Sequence, residues 1–350
     1  MKKTIPALAA WAVCTCACAQ IDVSIFGTID TYVARAKSGN SSTMRIDSGG
    51  NTASRIGFRG KEDFGGGMSA RFMLEAGIDS DTGAGNPTSS FAFTRQSFVG
   101  LAGPWGAIDM GRMYTPMFQA VTRADGFGLN TVFSPMNLAA AVDAQPGLRS
   151  FAPRANNMLR YRTPVGTGLY TDLAYAPGES ASPSQKSGDL YSGSVGWALR
   201  PVYVAYAFQR ARSGSAAAPE ANPTKSTYQS LSAAYDGGVW KVFGTVARNG
   251  VNRTGVGNAH ILSLGAAWNV TPQSRLVLEG VHRKVSGSDR TQLAWTLGYD
   301  YALSKRTALY GRWLHLSNRG NSSVSLAQIP VTPNSGDSVS LIGVGISHHF

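Results

Sequence analysis

Serine and histidine are the residues in this sequence that could support nucleophilic catalysis, and histidine could also bind a metal ion. The five histidines are His260, His282, His315, His348 and His349. His260 and Ser263 are three residues apart and His348 is adjacent to His349, so in extended strands the members of each pair point to opposite faces. The sequence also lacks G-x-S-x-G, H-E-x-x-H and phosphate-binding glycine patterns. We therefore expect no enzyme, no metal site and no cofactor.

The composition limits the class of protein to which the chain can belong. Of its 350 residues 43% are hydrophobic and only 15% are charged, yet no stretch is apolar for long enough to form a membrane-spanning helix. The 7 Trp, 13 Tyr and 14 Phe are spread along the chain in short runs that need burial, which argues against intrinsic disorder. Helical membrane proteins and disordered proteins are therefore excluded.

The N-terminus has the pattern of a secretory signal peptide. Lys2 and Lys3 precede an apolar stretch, residues 5–13, and Ala17-Cys18-Ala19 matches an A-x-A cleavage site. We expect residues 1–19 to be removed, so that the mature chain begins at Gln20. A short membrane anchor and a lipid-anchored Cys16 or Cys18 are the alternatives.

Cleavage would change two properties of the chain. All three cysteines would leave, which excludes a disulfide framework, a thiolate metal site and a cysteine nucleophile. Two of the 32 basic residues would leave as well, so the mature charge is 30 minus 20, or +10. An anionic surface or an anionic solute is then the expected partner, and nucleic acid is not expected because the chain is exported.

Apolar and polar residues alternate with a period of two along most of the mature chain, as in β-strands. In the first run Val23, Ile25 and Ile29 alternate with polar residues such as Ser24 and Asp30. Sixteen candidate strands can be counted. They lie near residues 23–33, 55–61, 68–75, 93–101, 107–113, 156–163, 169–176, 189–199, 202–210, 227–235, 239–248, 259–268, 274–283, 290–303, 307–316 and 338–350.

The connections between these strands are alternately tight and long, as in a meander that closes into a barrel. A transmembrane strand needs only about 9 to 11 residues, and barrels of this kind use an even number of antiparallel strands. The sequence therefore predicts an all-β protein in which residues 20–350 form one domain, a 16-stranded antiparallel transmembrane β-barrel. Residues 114–153 are the longest stretch without strand character.

Aromatic residues near the predicted strand ends fit the girdles that such barrels place at membrane interfaces. They include Trp197, Tyr203, Tyr235, Trp240, Trp268 and Tyr310. Alternation alone also fits a soluble β-sandwich, so a secreted or surface adhesin that binds a ligand without conducting is an alternative. A hydrolytic barrel is a third possibility, which would lose its activity on replacement of one serine or histidine.

Several segments resemble the general trimeric porins of Gram-negative outer membranes, in particular the neisserial and β-proteobacterial branch. The resemblance spans nearly the whole mature chain. Its most specific segments are Ser54-Arg55-Ile56-Gly57-Phe58-Arg59-Gly60-Lys61-Glu62-Asp63-Phe64-Gly65-Gly66-Gly67, Arg95-Gln96-Ser97-Phe98-Val99-Gly100-Leu101, Arg154-Ala155-Asn156-Asn157, Leu303-Ser304-Lys305-Arg306-Thr307-Ala308-Leu309-Tyr310-Gly311 and the C-terminal Gly345-Ile346-Ser347-His348-His349-Phe350.

The resemblance implies an outer-membrane homotrimer of sixteen-stranded barrels that passes small hydrophilic solutes and ions by passive diffusion. It also implies a third loop, here about residues 114–153, that folds inward to narrow the pore. Phe350 resembles the C-terminal aromatic residue by which the barrel assembly machinery recognises its substrates. The surrounding lipid and lipopolysaccharide are the other expected partners.

The resemblance also implies a basic cluster at the pore constriction, which carries over to Arg55, Arg95 and Arg154. Glu75 matches an acidic position that faces this cluster and partly neutralises it. Alternation places Arg55 opposite Ile56 and Phe58, which is the lumen side if those two residues meet lipid. Because rings of arginine favour anions, we expect an anion-selective channel with small, mainly anionic solutes.

Other charged residues are candidates whose distance from the narrowest section the sequence does not define. Arg112 on a strand and Asp125 in the loop are included in the expected constriction. The Asp125-Gly126-Phe127-Gly128 sequence stands where some relatives have Pro-Glu-Phe-Gly, so carry-over inside the loop is weak. The remaining candidates are Arg59, Arg71, Arg160 and Arg162 on strands, and Arg123, Asp143 and Arg149 in the loop.

Overall fold

The structure is a computed structural model that describes residues 21–140, 151–164, 166, 168–180, 186–325 and 331–350. The predicted signal peptide, residues 1–19, lies outside the described residues, as do Asp143 and Arg149 of the expected loop. Within the described ranges no helix is both long and apolar enough to cross a membrane.

Eighteen β-strand segments and two short helices occur in the described part of the chain. The strands are β1 (Ile21–Ser38), β2 (Ser41–Ser48), β3 (Arg55–Gly65), β4 (Met68–Ile78), β5 (Gly85–Asn86), β6 (Gln96–Gly103), β7 (Gly106–Tyr114), β8 (Arg154–Arg162), β9 (Leu169–Ala176), β10 (Leu190–Leu199), β11 (Val202–Arg212), β12 (Lys225–Asp236), β13 (Trp240–Val251), β14 (Ala259–Asn269), β15 (Ser274–Val285), β16 (Thr291–Ala302), β17 (Thr307–Arg319) and β18 (Ser338–His349). The helices are α1 (Pro116–Thr122) and a 3-10 helix (Pro135–Ala140).

The strands form one closed antiparallel sheet with sixteen positions. The first half of β1 pairs with β3 and the second half with β2, and β4 pairs successively with β6 and β5, so 18 segments occupy 16 positions. The sheet closes because β18 pairs with both β17 and β1. This closure confirms the predicted sixteen-stranded barrel and rules out the sandwich alternative. The strand β2 was missed, because its segment was assigned to a long connection.

Each strand presents one apolar outer face and one inner face. On β13 the exposed Val242 and Val246 alternate with the buried Phe243 and Ala247. The same period of two recurs around the barrel, which is the pattern expected when one face meets lipid and the other encloses an interior.

Several of the aromatic residues lie where an interfacial girdle requires them. Tyr235, Trp240 and Trp268 are exposed on the outer face near the tight turns, and the rings of Tyr235 and Trp240 are stacked with centroids 5.4 Å apart. Tyr203 and Tyr310 do not belong to this girdle, because both are buried and point to the inner face. Their position near strand ends was misleading, since proximity to an end does not define the face.

The described parts of the connection between β7 and β8, residues 115–140 and 151–153, lie inside the barrel and are called the inward segment. The Tyr203 hydroxyl donates to the carbonyl oxygen of Ala120 over 2.8 Å, and the Thr296 hydroxyl donates to the carbonyl oxygen of Phe133 over 2.7 Å. The inner wall beneath α1 carries small side chains, including the buried Ala205 on β11. Small residues give a helix room to pack inside a closed barrel.

Candidate pore constriction

A cavity of about 820 Å³ lies between the inward segment and the barrel wall. Its lining combines arginines that are far apart in sequence with residues 126–131 of the inward segment. The charged residues that line it are Arg55, Arg95, Arg154, Arg275, Arg312 and Asp300. Three of the sequence-predicted site residues, Arg55, Arg95 and Arg154, are therefore brought together.

Glu75 holds two of these arginines in place. Its Oε1 accepts a hydrogen bond from Nε of Arg95 over 2.6 Å, and its Oε2 lies 3.8 Å from Nε of Arg55. Glu75 can reach both because β4 is hydrogen-bonded to β3 on one side and to β6 on the other. The Glu75 side chain is only 6% exposed, so it acts mainly from behind the two arginines.

Tyr114 links Arg95 to Arg154 at the point where the chain leaves β7. Its hydroxyl oxygen accepts from Nη2 of Arg95 over 2.7 Å and from Nη2 of Arg154 over 2.6 Å. The Arg154 guanidinium also lies 4.3 Å from the centroid of the Tyr114 ring. A guanidinium has five N–H donors in a rigid plane, so these contacts orient each arginine and leave donors for an ion in the cavity.

Arg312 approaches the cavity from β17. Its Nη2 lies 2.5 Å from Oδ1 of Asp300 and 2.8 Å from Oδ1 of Asn51, and its guanidinium lies 5.0 Å from the ring centroid of Tyr310. Sequence reasoning missed Arg312 together with Arg275 and Asp300. The signal was weak because Leu314 and Leu316 follow Arg312 on the same face of β17, which made that face look apolar.

The charges around the cavity do not cancel. Five arginines line it, whereas Asp300 lines it and Glu75 contacts it from behind, so the local balance is five positive to two negative charges. A narrow section with an excess of arginine lowers the free energy of an anion there and raises that of a cation.

Arg112 lies beside this cavity rather than on its lining, which differs from the expectation. Its Nε donates to the carbonyl oxygen of Thr94, and its Nη1 donates to Oδ1 of Asn156 over 2.6 Å. Arg112 pairs with Ser97 on β6 in a regular register, two residues after the exposed Met110, so alternation places it on the outer face of β7.

Asp125 is a buried residue of the inward segment and does not face the cavity, again unlike the expectation. Its Oδ1 accepts from the backbone N–H groups of Phe127 (2.8 Å) and Leu129 (2.9 Å), and its Oδ2 accepts from the Ser134 hydroxyl over 2.7 Å. Burial raises the pKa of this carboxyl above its ordinary value, whereas these hydrogen bonds act in the opposite direction. Asp125 therefore stabilises a turn of the segment.

The other predicted strand arginines form a second basic cluster nearer the tight turns. Asp109 lies between Arg71 and Arg162, with an N–O distance of 2.7 Å to each. These three residues line a second cavity, of about 380 Å³. Arg59 lines the same cavity and donates from Nε to the Ser24 hydroxyl over 3.0 Å.

Two more of the predicted arginines are held by the inner wall. Arg160 binds Asp172 through Nε over 2.7 Å. Arg123 of the inward segment lies 5.5 Å from the ring centroids of both Tyr170 and Tyr203. Their guanidinium groups are thus engaged by neighbouring side chains, and neither lines the larger cavity.

Comparison with known proteins agrees with this geometry. A model of the Gram-negative porin family matches residues 7–321. The chain is 32% identical to outer membrane porin protein 32 of Delftia acidovorans over the full length of both, and 26% identical to the major outer membrane protein P.IB of Neisseria lactamica over 93% of this chain and 97% of that protein. An anion-selective porin from Comamonas acidovorans superposes with a TM-score of 0.82 at 30% identity, covering 95% of this chain and 100% of that one.

Proposed function

The chain belongs to the Gram-negative porin family, and from this premise we propose that its arginine-lined constriction makes it an anion-preferring channel for passive diffusion. It is an outer-membrane porin, like the relatives it matches along its whole length. The proposal extends to residues 20–350 as the mature barrel after loss of residues 1–19, and to a homotrimer. Members of this family are channels rather than enzymes, and we propose no catalytic activity for this chain.

One observation carries the proposal. Arg55, Arg95 and Arg154 come from different strands or connections and meet at the same cavity, where Glu75 and Tyr114 fix their orientation. Because these supporting groups engage only some of the N–H donors, the three guanidinium groups keep donors for a passing anion. The Comamonas acidovorans porin is anion-selective, which agrees with this proposal but is a property of that protein.

The selectivity is tested by the zero-current potential of purified protein in a planar bilayer under a KCl gradient. The wild type is expected to give a potential on the chloride side, and the Arg55→Gln, Arg95→Gln, Arg154→Gln triple variant is expected to lose most of it. A triple variant with Arg200→Gln, Lys305→Gln and Arg306→Gln is the charge-matched control, since these exposed residues lie on the tight turns.

Four outcomes would separate the parts of the proposal. A potassium-sided potential in the wild type would keep the channel and reject anion preference. An unchanged potential in the constriction triple variant would reject the assignment of Arg55, Arg95 and Arg154. Absence of conductance from folded protein would reject the channel itself, and single-step insertion with one conductance level would reject the trimer.

A further inference from the structure

The outer surface of the barrel carries a basic patch over β11, β12 and β13, outside the pore. Arg210, Lys225 and Arg248 are exposed there, and a surface groove of about 380 Å³ lies between them. The groove is completed by Thr227, Gln229 and Asn258.

Strand alternation shows that the patch lies on the outer wall. On β11 the residue before Arg210, Gln209, is buried on the inner face, and on β13 Arg248 stands between the buried Ala247 and Asn249. Gln229 is paired with Arg248 in the β12–β13 register, and its Nε2 donates to the outward Tyr206 hydroxyl over 3.1 Å. The three basic groups therefore face away from the lumen.

The patch marks the end of the apolar band that surrounds the barrel. Phe208, Leu231 and Val246 are the next outward residues on the three strands, and they are 38%, 53% and 58% exposed. Charged residues on the lipid face are tolerated near the membrane interface and not at the midplane. The patch therefore lies at the depth of the lipid headgroups.

The lengths of the connections show which membrane leaflet the patch meets. The strands β11 and β12 are joined at the patch end by residues 213–224, whereas at the opposite end β12 and β13 are joined by residues 237–239. Outer-membrane barrels have short periplasmic turns and longer extracellular loops. The patch accordingly faces the outer leaflet of the outer membrane.

The three cations have no acidic partner among the residues that the structure describes. A cluster of unneutralised Lys and Arg at headgroup depth attracts anionic lipid, and phosphate oxygens are the acceptors that arginine binds best. We propose that the groove between Arg210, Lys225 and Arg248 binds the phosphate groups of lipopolysaccharide in the outer leaflet. This site is independent of the constriction and of anion preference.

The site is tested by binding of purified lipopolysaccharide to the detergent-solubilised, folded protein. The Arg210→Gln, Lys225→Gln, Arg248→Gln variant is expected to bind at least about tenfold more weakly at about 0.1 M salt. The Arg210→Lys, Arg248→Lys variant keeps the charge and is expected to bind nearly as tightly as the wild type. The Arg200→Gln, Lys305→Gln, Arg306→Gln variant removes the same charge at the opposite end and is expected to keep wild-type affinity.

The ligand arms identify which group is bound. Lipopolysaccharide treated with phosphatase is expected to bind the wild type as weakly as intact lipopolysaccharide binds the patch variant. Equal affinity of wild type and patch variant, an equal loss in the control variant, or no effect of phosphatase would each overturn the proposal. Inorganic phosphate that binds alone with the same dependence on the patch would assign a site for a soluble anion instead, and unchanged zero-current potential in the patch variant separates this test from the pore.

Discussion

Phe350 and Gly27 exchange two backbone hydrogen bonds, each 3.1 Å long, at the seam where the last strand meets the first. The Phe350 ring lies across Gly27 so closely that a Cβ at residue 27 would be 2.2 Å from its Cζ atom. The C-terminal aromatic side chain thus depends on the absence of a side chain at Gly27. This contact gives Phe350 a structural role beside its proposed role as an assembly signal.

Replacement of Gly27 by valine is therefore expected to impair barrel closure in the same direction as Phe350→Ala. The valine side chain would displace the ring and would also meet the Arg55 carbonyl oxygen, which lies 2.7 Å from the added Cβ. The fraction of heat-modifiable, folded protein on gels after refolding in detergent measures the effect. Gly311→Val is the matched control, because a Cβ at Gly311 meets nothing within 4 Å. Normal folding of Gly27→Val would contradict the proposed dependence.

Glu75→Gln is expected to increase anion preference. Glu75 is the carboxylate that faces Arg55 and Arg95, so its loss changes the local balance from five against two to five against one. One unit charge at about 7 Å contributes about 0.6 kcal/mol at the permittivity of water, with opposite sign for an anion and a cation. The permeability ratio therefore changes by about 1.2 kcal/mol, or about sevenfold. The zero-current potential measures the shift.

Glu62→Gln on the outer face of the same hairpin is the control for Glu75→Gln. It removes the same charge outside the lumen and is expected to leave the zero-current potential unchanged. A loss of anion preference in Glu75→Gln would show instead that the carboxylate acts mainly by holding Arg55 and Arg95 in position.

Most of the barrel could be predicted from the sequence because a strand between lipid and a polar interior has to alternate. The pattern of Val242, Phe243, Val246 and Ala247 on β13 is an example that the structure reproduces. The segment of β2 was missed because its outer-face residues, such as Met44 and Ile46, lie among polar and glycine residues that resemble a loop. Two apolar residues at a spacing of two are too few to define a strand period from the sequence.

The charged site was only partly predictable. Arg55, Arg95 and Arg154, which the family resemblance indicated, line one cavity, whereas Arg112 and Asp125 do not line it and have their hydrogen bonds elsewhere. Arg112 has the same parity as the exposed Met110 and pairs regularly with Ser97, so alternation itself gives it the outer face of β7. Inside a loop no period exists, so the side chain of Asp125 could not be oriented from sequence.

Arg312→Gln is expected to reduce anion preference, although the resemblance gave no reason to select this residue. The substitution removes one positive charge and leaves Asp300 without its 2.5 Å partner at the edge of the cavity. The expected loss is about sevenfold in the permeability ratio, by the same calculation for a unit charge at about 7 Å. Arg319→Gln, at the exposed end of the same strand, is the control and should have no effect.

The double variant Arg312→Gln, Asp300→Asn distinguishes charge from local structure. It restores the local excess of three positive charges, so its zero-current potential should return close to the wild-type value. Persistence of the defect in the double variant would mean that Arg312 acts by packing against Tyr310 and Phe127, whose ring centroids lie 5.0 and 5.5 Å away.

Asp125→Ala is expected to loosen the inward segment and thereby increase the current noise of the open channel. The substitution leaves the N–H groups of Phe127 and Leu129 and the Ser134 hydroxyl without their acceptor, and each such buried group costs about 1 to 3 kcal/mol. The neighbouring hydrogen bond from the Gly126 N–H to Glu279 Oε2, 2.9 Å long, would remain between this turn and β15. Single-channel recording at constant voltage measures the noise and the mean conductance.

The control for this prediction is Asp81→Ala, which removes an exposed carboxylate from another connection and should leave the recordings unchanged. Ser134→Ala removes one donor to Asp125 while the two backbone N–H groups remain paired, so its noise should lie between those of wild type and Asp125→Ala. If all three variants conduct as quietly as the wild type, the segment is held by packing against the inner wall rather than by the hydrogen bonds of Asp125. Because zero-current potential depends on the arginines and noise on the segment, the two measurements also separate selectivity from the stability of the constriction.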